Sequence, residues 1–207
     1  MPSANLTERI YQRFRRSKPG QVFTPKDFLD LGARGSISWV LHDLVRKERI
    51  RAIARGLYDH PRPTRHLGLT PSPRLDRAAQ AYARKRQWDV IPHPALAANL
   101  LGLSQQVPAR VVYLSSGPTQ SVRIGNRDIV FRHAGPKNFV AKTSVGALVI
   151  QALRYFGRSQ VDDAIRERIA KALTDKDVKK VRQDVKYAAT WIQAELERIF
   201  KEREWTE

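Results

Sequence analysis

An α+β fold is predicted for this 207-residue chain from its changes of hydrophobic rhythm. Helical spacing in the first fifty residues gives way to a short, basic, extended stretch. Strand-like alternation punctuated by glycine occupies the middle, and helical spacing returns from Ser144 onward.

The opening helix is read over Asn5–Arg16. Asn5 stands three residues before Glu8, a capping-box spacing, and Leu6, Ile10 and Phe14 share one face. Its other face carries Arg9, Arg13 and Arg16, placed to meet either solvent or a nucleic-acid backbone, and Lys18-Pro19-Gly20 ends it. Thr24 then caps a second helix, Pro25–Leu31, whose first residue has no N–H to leave unsatisfied, and Asp27 adds negative charge to its first turn. Gly32 and Gly35 bracket a tight turn that needs positive φ, and Ser36 caps a third helix, Ser36–Glu48. Along it Ile37, Val40, Leu41, Leu44 and Val45 form the apolar face, with Ser38, Trp39, His42 and Arg46 opposite. Ile50, Arg51 and Ile53 are extended, and Arg55-Gly56 forms the tip of a hairpin returning through Leu57-Tyr58. This order is that of a winged helix-turn-helix, assigned to residues 1–60.

Such a unit places the amino-terminal end of its third helix in the DNA major groove, with the hairpin against flanking backbone. The expected contact residues are Arg34, Ser36, Ser38, Trp39, His42, Arg46, Arg51 and Arg55. Trp39 has a second reading, packing under the hairpin or against the Pro25–Leu31 helix.

His60–Pro73 contains four prolines, which favour extended backbone, and residues 61–73 read as a linker. Residues 74–207 are expected to form an α/β domain ending in a helical bundle. A helix over Arg74–Arg86 precedes a strand at Trp88–Ile91. A helix at Ala95–Leu101 ends at Gly102, and Val107–Ser116 is a strand. Gln120–Ile124 and Asp128–Arg132 flank Gly125-Asn126-Arg127 as a hairpin. Helices follow at Ser144–Phe156 and around Val161, Ile165 and Ile169. A last helix starts at Thr174 and carries one stripe through Val178, Val181, Val185, Ala188, Ile192 and Ile199. That stripe reads as intramolecular core in preference to a dimer seam.

Charge narrows the function classes. The chain holds 38 Lys and Arg against 20 Asp and Glu, a net charge of +18, which points to a polyanionic partner. Most of the excess lies in residues 1–140; the last third is mixed. No apolar run approaches the ~18–20 residues of a membrane span, and the amino terminus lacks the apolar core of a signal peptide, so a cytoplasmic protein is expected. There is no cysteine for disulfides or thiolate metal sites. His60 and His66 have only Asp59 nearby to extend a ligand set, and no metal or other cofactor is expected.

Beyond the hairpin, the run Ala98-Asn99-Leu100-Leu101-Gly102-Leu103-Ser104-Gln105-Gln106-Val107-Pro108-Ala109, then Val112–Pro118, resembles the second domain of AbiEi-family antitoxins. Arg55-Gly56-Leu57-Tyr58, Arg132–Asn138 and Gln151-Ala152-Leu153-Arg154 extend the likeness over most of residues 24–157. The resemblance implies a DNA-binding repressor that is the antitoxin of a type IV toxin–antitoxin operon. Its partners would be the double-stranded operator of its own operon and a nucleotidyltransferase toxin countered without a stable complex. A monomer or weak dimer is expected, with no membrane partner and no catalytic residue.

Two other classes stand beside this reading. A metal-dependent nuclease would use Asp184 and Lys186 with Asp162, Asp163 or Asp177, but Val181, Val185 and Ala188 put Asp184 on a helix, whereas such carboxylates are usually mounted on strands. A protein-interaction module is the other: the winged helix could dock protein instead of DNA, and a pure interaction module is compatible with Arg74–Pro136 but explains the positive charge of that region poorly.

Overall fold

The computed structural model describes residues 5–62, 71–105 and 110–204. Contacts divide the chain into two compact units, Met1–Trp88 with Ser121–Ile129, and Asp89–Gln120 with Val130–Glu207. Helices and strands occur in both, the mixed α+β class expected.

The amino-terminal unit holds α1 (Leu6–Arg16), α2 (Arg34–Arg46) and a three-stranded antiparallel sheet. The sheet's order is β1-β3-β2, from β1 (Val22–Phe23), β2 (Arg51–Ala54) and β3 (Leu57–Asp59). The Asn5 side chain caps α1 by accepting the Thr7 N–H at 3.3 Å. α1 buries Ile10 and Phe14, and α2 buries Ile37, Val40, Leu41 and Leu44, the spacing read from the sequence. Phe23, Phe28, Ile50 and Tyr58 complete this core. The Phe14 ring lies 4.7 Å from that of Phe23 and 5.3 Å from that of Phe28.

Two expectations here are corrected. The Pro25–Leu31 helix is a single 3-10 turn, Pro25–Phe28. The Asp27 carboxylate turns back to the Thr24 N–H at 2.7 Å, and the Leu31 N–H closes on the Phe28 carbonyl, so no i+4 ladder starts. Ser36 is not a cap, because α2 begins at Arg34 behind Ala33, and neither Gly32 nor Gly35 has positive φ. Arg34 is a good helix former, and Gly35 inside the first turn costs only about 1 kcal/mol relative to alanine, so the helix starts earlier.

α3 (Leu75–Arg86) packs on β1 and β3 of the same unit, burying Ala78, Ala79 and Ala81, whose small side chains allow close approach. The compact division therefore falls at Trp88, past the linker expected at 61–73, of which residues 63–70 lie outside the described ones.

β4 (Val90–Pro92), β5 (Val111–Ser115), β6 (Gln120–Ile124) and β7 (Arg127–His133) form a second sheet in the order β4-β5-β7-β6. The tip of its β6–β7 hairpin belongs to the amino-terminal unit, where the N–H of Gly125, at φ +59°, donates to the Ile53 carbonyl at 3.2 Å. In the carboxy-terminal unit α4 (Pro94–Leu100), α5 (Ser144–Phe156), α6 (Asp163–Ala172), α7 (Asp175–Val185) and α8 (Thr190–Glu204) share one core. Ala97, Val149, Leu153, Ile169, Val181, Ile192 and Leu196 lie in it. The single last helix expected from Thr174 is two. The N–H groups of Tyr187 and Ala188 close on the Asp184 and Val185 carbonyls in i+3 turns, after which α8 packs chiefly on α6 while α7 packs on α5. The apolar stripe read as core is buried within the unit. No described helix is long and apolar enough to cross a membrane.

Candidate nucleic-acid interface

The sequence dictates that α2 has two unlike faces. Its apolar residues recur at helical spacing and are buried, so the residues between them are turned outward. Arg34, Ser36, Trp39, His42 and Arg46 are exposed and Ser38 is half-buried. Trp39 is 66% exposed, so it packs neither under the hairpin nor against the Pro25–Phe28 turn. An indole, an imidazole, two hydroxyls and two guanidiniums on one rigid surface supply hydrogen-bond donors, acceptors and a stacking plane.

Acidic charge is kept off this surface. Asp43, the only carboxylate of α2, is buried and clamped by Lys47 at 2.7 Å and Arg46 at 2.6 Å. The Lys47 ammonium and the Arg46 guanidinium hold its carboxyl below the usual range. A carboxylate whose pKa is lower folded than unfolded stabilises the fold above its unfolded pKa, about 4, and the benefit is lost as pH falls through the folded value. Melting temperatures of wild type and Asp43→Asn should therefore differ at neutral pH and converge on acidification. A gap that is constant down to pH ~2.5, below the ordinary carboxylate range, would refute the clamp's contribution.

Arg55 is exposed at the tip of the β2–β3 hairpin, where Gly56 takes φ +71°. Arg51 does not join it. Its guanidinium donates to both oxygens of buried Asp59, at 2.9 and 2.6 Å, and to the Pro71 carbonyl, which turns it from a backbone contact into a brace of the sheet. The face of α1 behaves similarly in part. Arg9, Gln12, Arg13 and Arg16 line a groove of about 590 Å³ with Phe23 and Leu31, but Arg13 is held bidentately by Asp30 at 2.8 and 2.6 Å.

Lys26 and Lys85 were not foreseen in this surface. Lys85 donates to the Arg55 carbonyl at 2.8 Å and Lys26 donates to the Lys85 carbonyl at 3.1 Å, so the end of α3 stands beside the hairpin tip. Arg84 fixes that position through Asp27, at 3.0 and 3.3 Å. In sequence, Arg84-Lys85-Arg86 is only the basic last turn that complements a helix dipole, and nothing local reveals its neighbours.

The carboxy-terminal unit gives Asp184 a structural task. It accepts the N–H groups of Lys142 and Thr143 at 2.7 and 3.0 Å and the Thr143 hydroxyl at 2.5 Å. Among the described residues no group of three His, Asp or Glu side chains is placed to hold a metal ion, and His66 lies outside them. Within the segments that carry the AbiEi resemblance, the His133 ring meets the Gly117 carbonyl at 3.1 Å and Arg154 donates to Asn138 at 3.3 Å. Burial lowers the pKa of Arg154 from its ordinary value. Gln106–Ala109 lie outside the described residues.

No curated protein matches the chain. Residues 9–181 match a family described as one of unknown function (DUF6088), and since that match spans most of its length, the chain belongs to this family.

Proposed function

We propose that the amino-terminal unit is a winged helix-turn-helix that binds duplex DNA, and that the chain is a transcriptional repressor acting as the antitoxin of a type IV toxin–antitoxin operon. The observation that carries the DNA-binding reading is the outer face of α2, polar and cationic around an exposed Trp39, on a helix anchored by its opposite face. The 3-10 turn Pro25–Phe28 takes the place of the middle helix, and β2–β3 that of the wing. Ser38, Trp39 and His42 are assigned to base edges, because groove contacts come mostly from the amino-terminal half of such a helix. Arg34, Ser36, Arg46 and Arg55 are assigned to the backbone, and Arg51 to the sheet. The antitoxin role is supported by the sequence resemblance; its partner would be a nucleotidyltransferase toxin countered without a stable complex.

The test is a titration with the duplex upstream of its own reading frame and with a scrambled duplex, at several salt concentrations. With roughly six phosphate contacts, log K should fall with log salt at a slope near ~5. His42→Ala should lose ~1–3 kcal/mol on the operator and little on the scrambled duplex, while Arg55→Ala should weaken both and reduce the slope by about one unit. Absence of binding at low salt, or a flat salt response, would overturn the repressor reading. Equal losses for His42→Ala on both duplexes would reverse the assignment of reader and holder.

A further inference from the structure

We infer that the end of α3 adds a phosphodiester-binding site to the winged unit, formed by Lys85 together with Lys26, Arg34 and Arg55. The inference rests on the DNA-binding reading above and extends the contacting surface past its helix and hairpin.

Lys85 and Lys26 are held in place by backbone anchors, not by opposite charges, and Arg34 and Arg55 lie close enough to act on the Lys85 charge. The Lys85 ammonium spends one proton on the Arg55 carbonyl at 2.8 Å, leaving two, and the Lys26 ammonium spends one on the Lys85 carbonyl at 3.1 Å. The Lys85 Nζ also sits 2.7 Å from where a Cβ on Gly56 would lie, so the hairpin tip and the end of α3 are in direct contact. Among the described residues none of Lys26, Arg34, Arg55 or Lys85 forms an ion pair. The nearby carboxylate of Asp27 is taken by Arg84. Arg86 also flanks the cluster, but its guanidinium is drawn over the rings of Tyr82 and Trp88.

Collecting like charges without a counterion is unfavourable, and Lys85 registers it. Burial first, then Arg86, Arg55, Arg34 and Lys26, lower its pKa from the ordinary lysine value. A group of cations, two of them held by carbonyls and none paired with a carboxylate, is what an incoming polyanion relieves. These cations lie on three separate parts of the unit: the 3-10 turn with the start of α2, the hairpin tip, and the end of α3. A DNA strand has a phosphate at every nucleotide and can satisfy them together. The site carries no base-reading group, so it contributes affinity without sequence preference.

The experiment uses the full chain and the two duplexes above. Lys85→Gln keeps a donor for the Arg55 carbonyl but removes the charge. It should weaken both duplexes alike, about threefold to tenfold, and lower the salt slope by about one unit, with an unchanged thermal melt. Lys85→Arg should retain wild-type affinity and slope, and Lys179→Gln, the same charge change on α7, should alter neither. Wild-type affinity and slope in Lys85→Gln would overturn the site. So would a loss confined to the operator, or a loss on both duplexes with the slope unchanged, which would make Lys85 a brace of the hairpin only. Wild-type protein that binds no duplex at low salt would instead overturn the DNA-binding reading itself.

Discussion

Phe14→Ala is expected to destabilise the amino-terminal unit by about 3–5 kcal/mol, the usual cost of removing a fully buried aromatic ring. Phe14 is 0% exposed and touches two further rings, those of Phe23 on β1 and Phe28 in the 3-10 turn. It therefore joins α1 to two short elements of the unit, neither of which has enough hydrogen bonds to persist alone. Deleting the ring loses its transfer free energy and leaves a cavity in a close-packed core whose other side chains cannot fill it without leaving their own contacts. Phe14→Leu, closer in volume, should cost only about 1–1.5 kcal/mol. Urea unfolding of the three proteins measures this. A change below about 1 kcal/mol in Phe14→Ala would mean that the core is not organised around that ring cluster. The DNA binding proposed above should follow the fold: lost as Phe14→Ala unfolds, retained in Phe14→Leu.

Asp184→Ala is expected to cost the carboxy-terminal unit about 3 kcal/mol or more. Its carboxylate serves three donors, two backbone N–H groups and the Thr143 hydroxyl, and each partly buried donor left without an acceptor costs roughly 1–3 kcal/mol. Thr143 is in turn the cap of α5, accepting the Gly146 N–H at 3.0 Å, so the loss reaches the start of that helix. Asp184→Asn keeps one good acceptor and should fall between wild type and alanine. The same variants address the nuclease alternative. Incubated with DNA or RNA in Mg²⁺ or Mn²⁺, the wild-type chain is expected to leave both intact. Cleavage by wild type that disappears in a folded Asp184→Asn protein would show that the carboxylate is catalytic.

What the sequence determined by itself are the features carried by local periodicity and local chemistry. Ile37, Val40, Leu41 and Leu44 recur at helical spacing, and burying that stripe leaves Trp39, His42 and Arg46 facing out wherever the helix packs. Gly56 and Gly125 mark hairpin tips because positive φ there favours glycine. Asn5, Thr143 and Thr174 serve as helix caps because each side chain meets an N–H of its own first turn. Tertiary structure decided whatever depends on partners distant in sequence. The two-residue strand β1 shows no alternation, and it exists only because Val22 and Phe23 pair with Asp59 and Tyr58. Arg51 looked like Arg55 in sequence, yet Asp59 lies across the sheet from it and takes its charge. The break between α7 and α8 is invisible in an apolar stripe that runs straight through it, because both halves of the stripe are still buried in one core, α7 against α5 and α8 against α6. Lys26 and Lys85 are 59 positions apart, and no local pattern records that the Lys26 ammonium reaches the Lys85 carbonyl. A cation's role is set by the charges that folding brings within a few ångströms, and the sequence specifies those only through the complete fold.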